Sequence, residues 1–267
     1  MEIQPRSFGD SLTDVIANLG KVWRVLAGPA IVASAVMGIL TIVAFESTDS
    51  FDVFEVIFNN PEAFEVMSDE ELVDTLTQLG TGAMIVSLFS SVVYGFVYLT
   101  AAIAVGRAHS TRHGTPVVTV AFRLFPIWLI AAIVAGIGIF AGLFLLILPG
   151  VWLAMMLSMY TPVIALEGRG PVDSLRRSFE LVKDNFWETL GFILLIGLIG
   201  VTAGQLFQLV AIPILMSGQA SFGFGLAFAV GVVGQGLILA AIAVGMSTWY
   251  LNLRARTDGA YLIEGSQ

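Results

Sequence analysis

TLGFILLIGLIGVTAGQLFQLVAIPILMSGQASFGFGLAFAVGVVGQGLILAAIAVGMSTWYLNL, residues 189–253, runs without a single ionisable Asp, Glu, Lys, Arg or His. A helix crosses the roughly 30 Å hydrocarbon core of a bilayer with about 20 apolar residues. This run is therefore long enough for two crossings, and Pro213 with the polar SGQAS segment at 217–221 supplies the break between them. Charged residues are 12% of the chain and hydrophobic ones 57%, with a mean hydropathy of +0.90. Ordinary soluble domains carry about 25% charged residues. So few charges could not cover the surface of a soluble domain of this size.

Outward from that run, four more uncharged stretches lie at 25–45, 82–106, 124–148 and 151–166, and the long run divides into 189–215 and 222–253. The expectation is an all-α integral membrane bundle of six transmembrane helices forming one membrane domain, 1–267. Span four is short alone, but Pro149-Gly150 at its start is expected to lie at the interface, with Trp152 as an anchor there. No cleavable signal peptide is expected, because the first apolar stretch starts late and follows Asp10 and Asp14.

With six spans both termini share a side, and all 12 Lys/Arg fall there: Arg6, Lys21, Arg24; Arg107, Arg112, Arg123; Arg169, Arg176, Arg177, Lys183; Arg254, Arg256. The positive-inside rule places that side in the cytoplasm and the protein in the cell membrane. Ten of the 20 acids crowd into the outer loop at 46–78. There Ser68 and Glu71 have the spacing of a capping box, and Asp52–Phe58 reads as a short helix. Trp23, Trp128, Trp187 and Trp249 fall at the inner interface, where an aromatic belt is expected.

Segments 7–20, 115–123 and 171–184 are amphipathic, and each is followed by a tryptophan and a hairpin of spans. Three repeats of interfacial helix plus transmembrane hairpin are expected. In the third, Val172, Leu175, Phe179 and Val182 form the apolar stripe and Arg176, Arg177, Glu180, Lys183 and Asp184 the polar face. Pro171 suits its first turn, and Asp173–Arg177 and Arg176–Glu180 have ion-pair spacing.

LPGVWLAMMLSMYTPVIALEGRGPVDSLRRSFELVKDNFWETLG at 148–191 and WYLNLRARTDGAYL at 249–262 carry a resemblance. They resemble the proline-glycine turn, the "PV-x-x-LEG" span, the "SLRRS-x-x-L-x-x-x-x-FW" helix and the "YYDLR-x-R-x-EG" tail of the glycerophosphoryl diester phosphodiesterase membrane-domain family and related uncharacterised prokaryotic membrane proteins. The resemblance covers roughly 92–262 and implies a polytopic membrane fold of unresolved function. It implies no activity: the family takes its name from members fused to a catalytic domain, and Arg112-His113-Gly114 reverses the His-Arg-Gly order of that enzyme class. Asn252 stands where the family's tail usually has Asp.

Several function classes are disfavoured outright. A net charge of −8 disfavours nucleic acid as a partner. The absence of cysteine, with only two histidines, disfavours thiol chemistry and a zinc site, and His109 and His113 lie in a loop broken by Gly114 and Pro116. Calcium among Asp49, Asp52 and Glu55 lacks EF-hand spacing. Phosphate-loop, zinc-protease and nucleophile-elbow motifs are missing. No span has a mid-membrane charge of the kind proton-coupled carriers use. No cofactor, metal or enzymatic activity is expected.

Arg176, Arg177, Arg254 and Arg256 are the candidate lipid-headgroup contacts, the last two snorkelling from the end of span six. Glu167 reads as the partner of Arg169, Arg176 or Arg177 at the turn. Gln205 and Gln208, three apart on span five, are the candidate interhelical polar contacts. Gly138-x-x-x-Gly142 and Gly200-x-x-x-Gly204 permit close helix approach. The leading expectation is a non-catalytic membrane protein that organises membrane lipid or a membrane partner protein. A channel or facilitator for a small neutral solute, and a membrane subunit beside a separate phosphodiesterase, stay open as alternatives.

Overall fold

The computed structural model describes residues 2–48, Val53, Glu62, 67–110, 114–215, 220–259 and 261–262; the side chains of 2–3, 207–208, 210–229 and 261–262 are outside the description. The readings of Asp52–Phe58, of calcium at Asp49, Asp52 and Glu55, and of His113 fall outside the described residues, as does most of the SGQAS break. In order come α1 (Phe8–Glu46), α2 (Asp69–Ala108), α3 (Val117–Leu145), α4 (Ile147–Met156), α5 (Tyr160–Glu167), α6 (Pro171–Lys183), α7 (Phe186–Leu215) and α8 (Ala220–Asp258). A two-residue antiparallel pairing of β1 (Glu2–Ile3) with β2 (Tyr261–Leu262) joins the chain ends. Among the described residues six helical stretches are long and apolar enough to cross a membrane, with α4 and α5 together making one, and the protein is a multi-pass membrane protein.

α1, α2 and α8, of 39, 40 and 39 residues, form the central trio. At 1.5 Å per residue each is about 60 Å long, twice the hydrocarbon core, so their ends stand clear of it. The α3–α4–α5 hairpin covers α2, and α7 covers α8. Serine starts both long N-terminal helices. Ser7 Oγ accepts from Asp10 N–H at 3.2 Å, and Ser68 and Glu71 make the expected reciprocal capping box. The core lies toward the end that carries the termini, where Leu26, Leu99, Val105, Ile164, Leu181, Phe192, Trp249, Tyr250 and Leu253 are wholly buried. Toward the far end Ile39, Val43, Ile137, Phe144 and Leu198 face outward, as lipid-exposed side chains do.

The glycine pairs act as expected. A Cβ on Gly142 would lie 2.9 Å from the Cα of Gly150, and one on Gly200 would lie 2.6 Å from Ile242 Cδ1. α3 meets α4, and α7 meets α8, because no side chain intervenes.

Four expectations are corrected. Pro149-Gly150 is not the turn: the chain reverses at Leu146, in extended conformation, and Pro149 sits in the first turn of α4, where its missing N–H has no helical partner to lose. Span four is interrupted at 157–159. Segments 7–20 and 115–123 are not separate interfacial helices but the first turns of α1 and α3. Nothing between Leu19 and Val25 breaks the backbone, whereas α6 is isolated by Gly168 at φ +63° before it and the turn at Asp184-Asn185 after it. Trp23 and Trp187 are exposed as belt residues should be, but Trp128 and Trp249 are core. Their indole N–H groups donate to Thr161 Oγ1 at 3.0 Å and Thr189 Oγ1 at 3.1 Å, which makes deep burial tolerable.

Candidate functional site

α6 carries the SLRRS motif, and its buried face keeps Leu175, Val182 and the half-buried Phe179 of the stripe read from spacing but is rotated away from Val172. Ser174, Leu175, Arg177, Ser178, Leu181 and Val182 are turned inward, while Val172 is exposed. Arg177, assigned to the polar face, is therefore on the buried one. Polar demand sets this rotation. At the break in span four, the Met159 N–H donates to Ser178 Oγ at 3.0 Å, and the Ser178 hydroxyl donates to Met156 O at 2.8 Å. One side chain thus satisfies two of the backbone groups that the interrupted helix releases, as irregular backbone at membrane depth requires.

Beside Ser178 lies a partly buried charge cluster. Glu167 closes α5, and Gly168 in the left-handed region swings the chain into α6. The Glu167 side chain is 7% exposed and that of Arg177 10%. Glu167 accepts from Arg169 Nε at 2.5 Å, from the Tyr250 hydroxyl at 2.7 Å and from Arg177 Nε at 3.4 Å. Arg177 Nη2 donates to Asp258, and Arg254 Nε lies 3.5 Å from Asp258 and 3.9 Å from Glu167. Burial alone would make Arg177 a weaker base. Asp258 and Glu167 outweigh it and hold the guanidinium more firmly protonated than usual. Setting aside Arg169, whose side chain is 43% exposed at the rim, Glu167, Asp258, Arg177 and Arg254 sum to zero charge, and they tie together α5, α6 and α8. A self-neutralised cluster of this kind fixes helices relative to one another.

On the other side of α8, Arg256 donates to Glu188, to Asn185 Oδ1 at 3.4 Å and to Arg6 O at 2.8 Å, with its guanidinium 5.4 Å from the Trp249 ring centroid. Phe192 stacks on Trp249 at 4.6 Å between ring centroids. Asn252 completes the junction. Its Oδ1 accepts from Arg6 N–H at 2.8 Å, and its Nδ2 donates to Ser11 Oγ at 2.8 Å and to Arg6 O at 3.2 Å. An aspartate there could not donate, so the asparagine suits this clamp.

Of the four arginines expected at lipid headgroups, Arg177 and Arg254 are turned into the protein together, Arg256 is engaged elsewhere, and Arg176 points outward at 81% side-chain exposure beside Glu180 at 3.4 Å. The Arg176–Glu180 pair forms as read. Arg177 pairs with the buried Glu167 and with Asp258 rather than with Asp173. Glu167 pairs with Arg169 and Arg177 and not with Arg176. Gln205 is exposed on α7, and the side chain of Gln208 lies outside the described residues. Sequence reasoning missed Tyr250, Asp258, Asn252 and Ser178. The signal for Ser178 was present: Ser174 and Ser178 are four apart on a helix whose buried face must meet the span before it.

A family model described as a domain of unknown function, DUF7847, matches residues 70–251, about two thirds of the chain, and the chain belongs to that family. No curated protein and no solved structure matches it. The resemblance to uncharacterised membrane proteins is met at that level, and nothing links the chain to the glycerophosphoryl diester phosphodiesterase membrane-domain family.

Proposed function

We propose that this DUF7847 protein is a non-catalytic protein of the cell membrane, with both termini in the cytoplasm, that organises anionic lipid at its basic end. One observation carries the reading. The buried Arg177 and the half-buried Arg254 are cancelled by Glu167 and Asp258, whereas Lys21, Arg24, Arg123 and Arg176 stand exposed at the same end. Cations that stabilised the fold alone would be paired inward like the first two. Basic residues beside an anionic leaflet each attract it by about 1 kcal/mol.

The test is stability in nanodiscs of anionic against zwitterionic lipid. The wild type should be more stable in the anionic discs, and a combined Arg24→Gln, Arg123→Gln, Arg176→Gln variant should lose most of that difference. Equal stability of the wild type in both lipids would refute the reading. A protein partner at this face, the other form of the expectation, would also leave the two lipids equal.

A further inference from the structure

We propose that a polar pocket at the basic end, between α1, α8 and the segment preceding α1, binds a phosphate group, with an anionic phospholipid as its occupant. The proposal rests on the lipid-organising reading above and names the site and the chemistry. Ser11, Asp14, Asn18 and Lys21 line the pocket from one face of α1, being three or four residues apart. Thr248 and Asn252 face them from α8, His109 comes from the end of α2, and Arg6 closes the top. The pocket holds about 80 Å³. That is several times the roughly 10–15 Å³ a single water needs, and room for a tetrahedral oxyanion.

The neutral walls are set without a ligand. Asn18 Nδ2 donates to Thr248 Oγ1 at 3.0 Å, and Asn252 is spent on Arg6 and Ser11. The charges are not balanced in the same way. Asp14 pairs with Arg6 at 3.6 Å. The Lys21 ammonium has neither an ion pair nor a hydrogen bond among the described residues. The His109 Nδ1–H donates to Val105 O at 3.0 Å, which leaves Nε2 as the ring's remaining polar atom. A preformed cavity with one uncompensated ammonium is built for an anion. Its depth selects the source: Lys21 lies two residues before Trp23 and four before the uncharged span, at the level of lipid phosphates.

The experiment counts phosphatidylglycerol molecules retained by the purified protein in native mass spectrometry, against phosphatidylcholine of the same acyl chains. The wild type should hold one phosphatidylglycerol more tightly than the rest. Lys21→Met, at an exposed position that should not disturb folding, should weaken that first site about tenfold or more, the loss of a charge-assisted hydrogen bond. Lys21→Arg should restore it, and Arg24→Met, an exposed cation outside the pocket, should leave it nearly unchanged. Inorganic phosphate that displaces the lipid, or that raises the melting temperature in phosphatidylcholine discs only while Lys21 is present, would assign the site to soluble phosphate and still support it. Equal losses for Lys21→Met and Arg24→Met would overturn the pocket and leave the basic face standing. No preference for phosphatidylglycerol, with no effect of phosphate, would overturn both.

Discussion

Replacing Ser178 by alanine removes one hydroxyl and strands two backbone groups. Met159 N–H is denied its helical acceptor, because Met155 O already takes Ser158 N–H at 3.1 Å. Met156 O is denied its helical donor, because Tyr160 N–H goes to Leu157 O at 3.2 Å. Ser178 serves both and is wholly buried, as is Met159. A buried polar group left unpaired costs about 1–3 kcal/mol. Interhelical side-chain bonds in membranes average about 0.6 kcal/mol, because the unfolded chain in lipid finds other partners. Two stranded backbone groups with no alternative partner put the expected loss near 2 kcal/mol, roughly a 30-fold fall in the folded-to-unfolded ratio. Equilibrium unfolding in mixed micelles of mild detergent and dodecyl sulfate, followed by tryptophan fluorescence, reads this directly. Ser174→Ala is the control: Ser174 is equally buried, but its hydroxyl makes one bond, to Pro171 O within its own helix at 2.7 Å, and its loss should cost about 1 kcal/mol or less. A Ser178→Ala loss no larger than that of Ser174→Ala would refute the account of the break.

Four further outcomes are expected. Gly95→Ala places a Cβ 1.9 Å from the Trp128 ring and should cost about 1–3 kcal/mol by overpacking, with a change in tryptophan emission, whereas Gly80→Ala, with open space around it, should be harmless in the same unfolding assay. Glu167→Ala takes from the buried Arg177 one carboxylate while Asp258 remains, and should cost less than the roughly 3–5 kcal/mol of a fully stranded charge, while Glu167→Gln, which still accepts from Tyr250, should cost less again; equal losses would mean the charge is irrelevant. The Ser68 backbone N–H and hydroxyl hold the Glu71 carboxyl below its ordinary 4.5, so the first turn of α2 gains stability above that pH and loses it as pH falls through the lowered value; amide exchange at 69–72 should accelerate there in wild type and not in Glu71→Gln. In a chain without cysteine, Ser68→Cys should react with an impermeant thiol reagent from outside intact cells and Ser110→Cys only after lysis; the reverse pattern would invert the topology.

The six spans were legible because burial in lipid leaves a mark on each residue by itself: a crossing must be long and uncharged wherever its neighbours lie. The capping box at Ser68, the glycine contacts and the Arg176–Glu180 pair were legible for a related reason, since each involves residues a few positions apart or needs only the absence of a side chain. The readings that failed depended on what a segment meets. Trp128 and Trp249 look like belt residues until a threonine 33 or 60 residues away accepts from each indole. The inward rotation of α6 follows from the interruption of a span about 20 residues earlier.

By itself, the sequence determined an all-helical membrane protein with one basic end, because hydropathy and charge are additive along the chain. Only the tertiary structure decided which of those charges are spent. Glu167, Arg177, Arg254 and Asp258 are spread over 92 positions, and no local rule distinguishes them from Arg176 or Lys21. Helix packing brings the four into mutual contact and leaves the others facing out. Electrostatic energy depends on distance in space and on burial, and neither is a property of position along the chain.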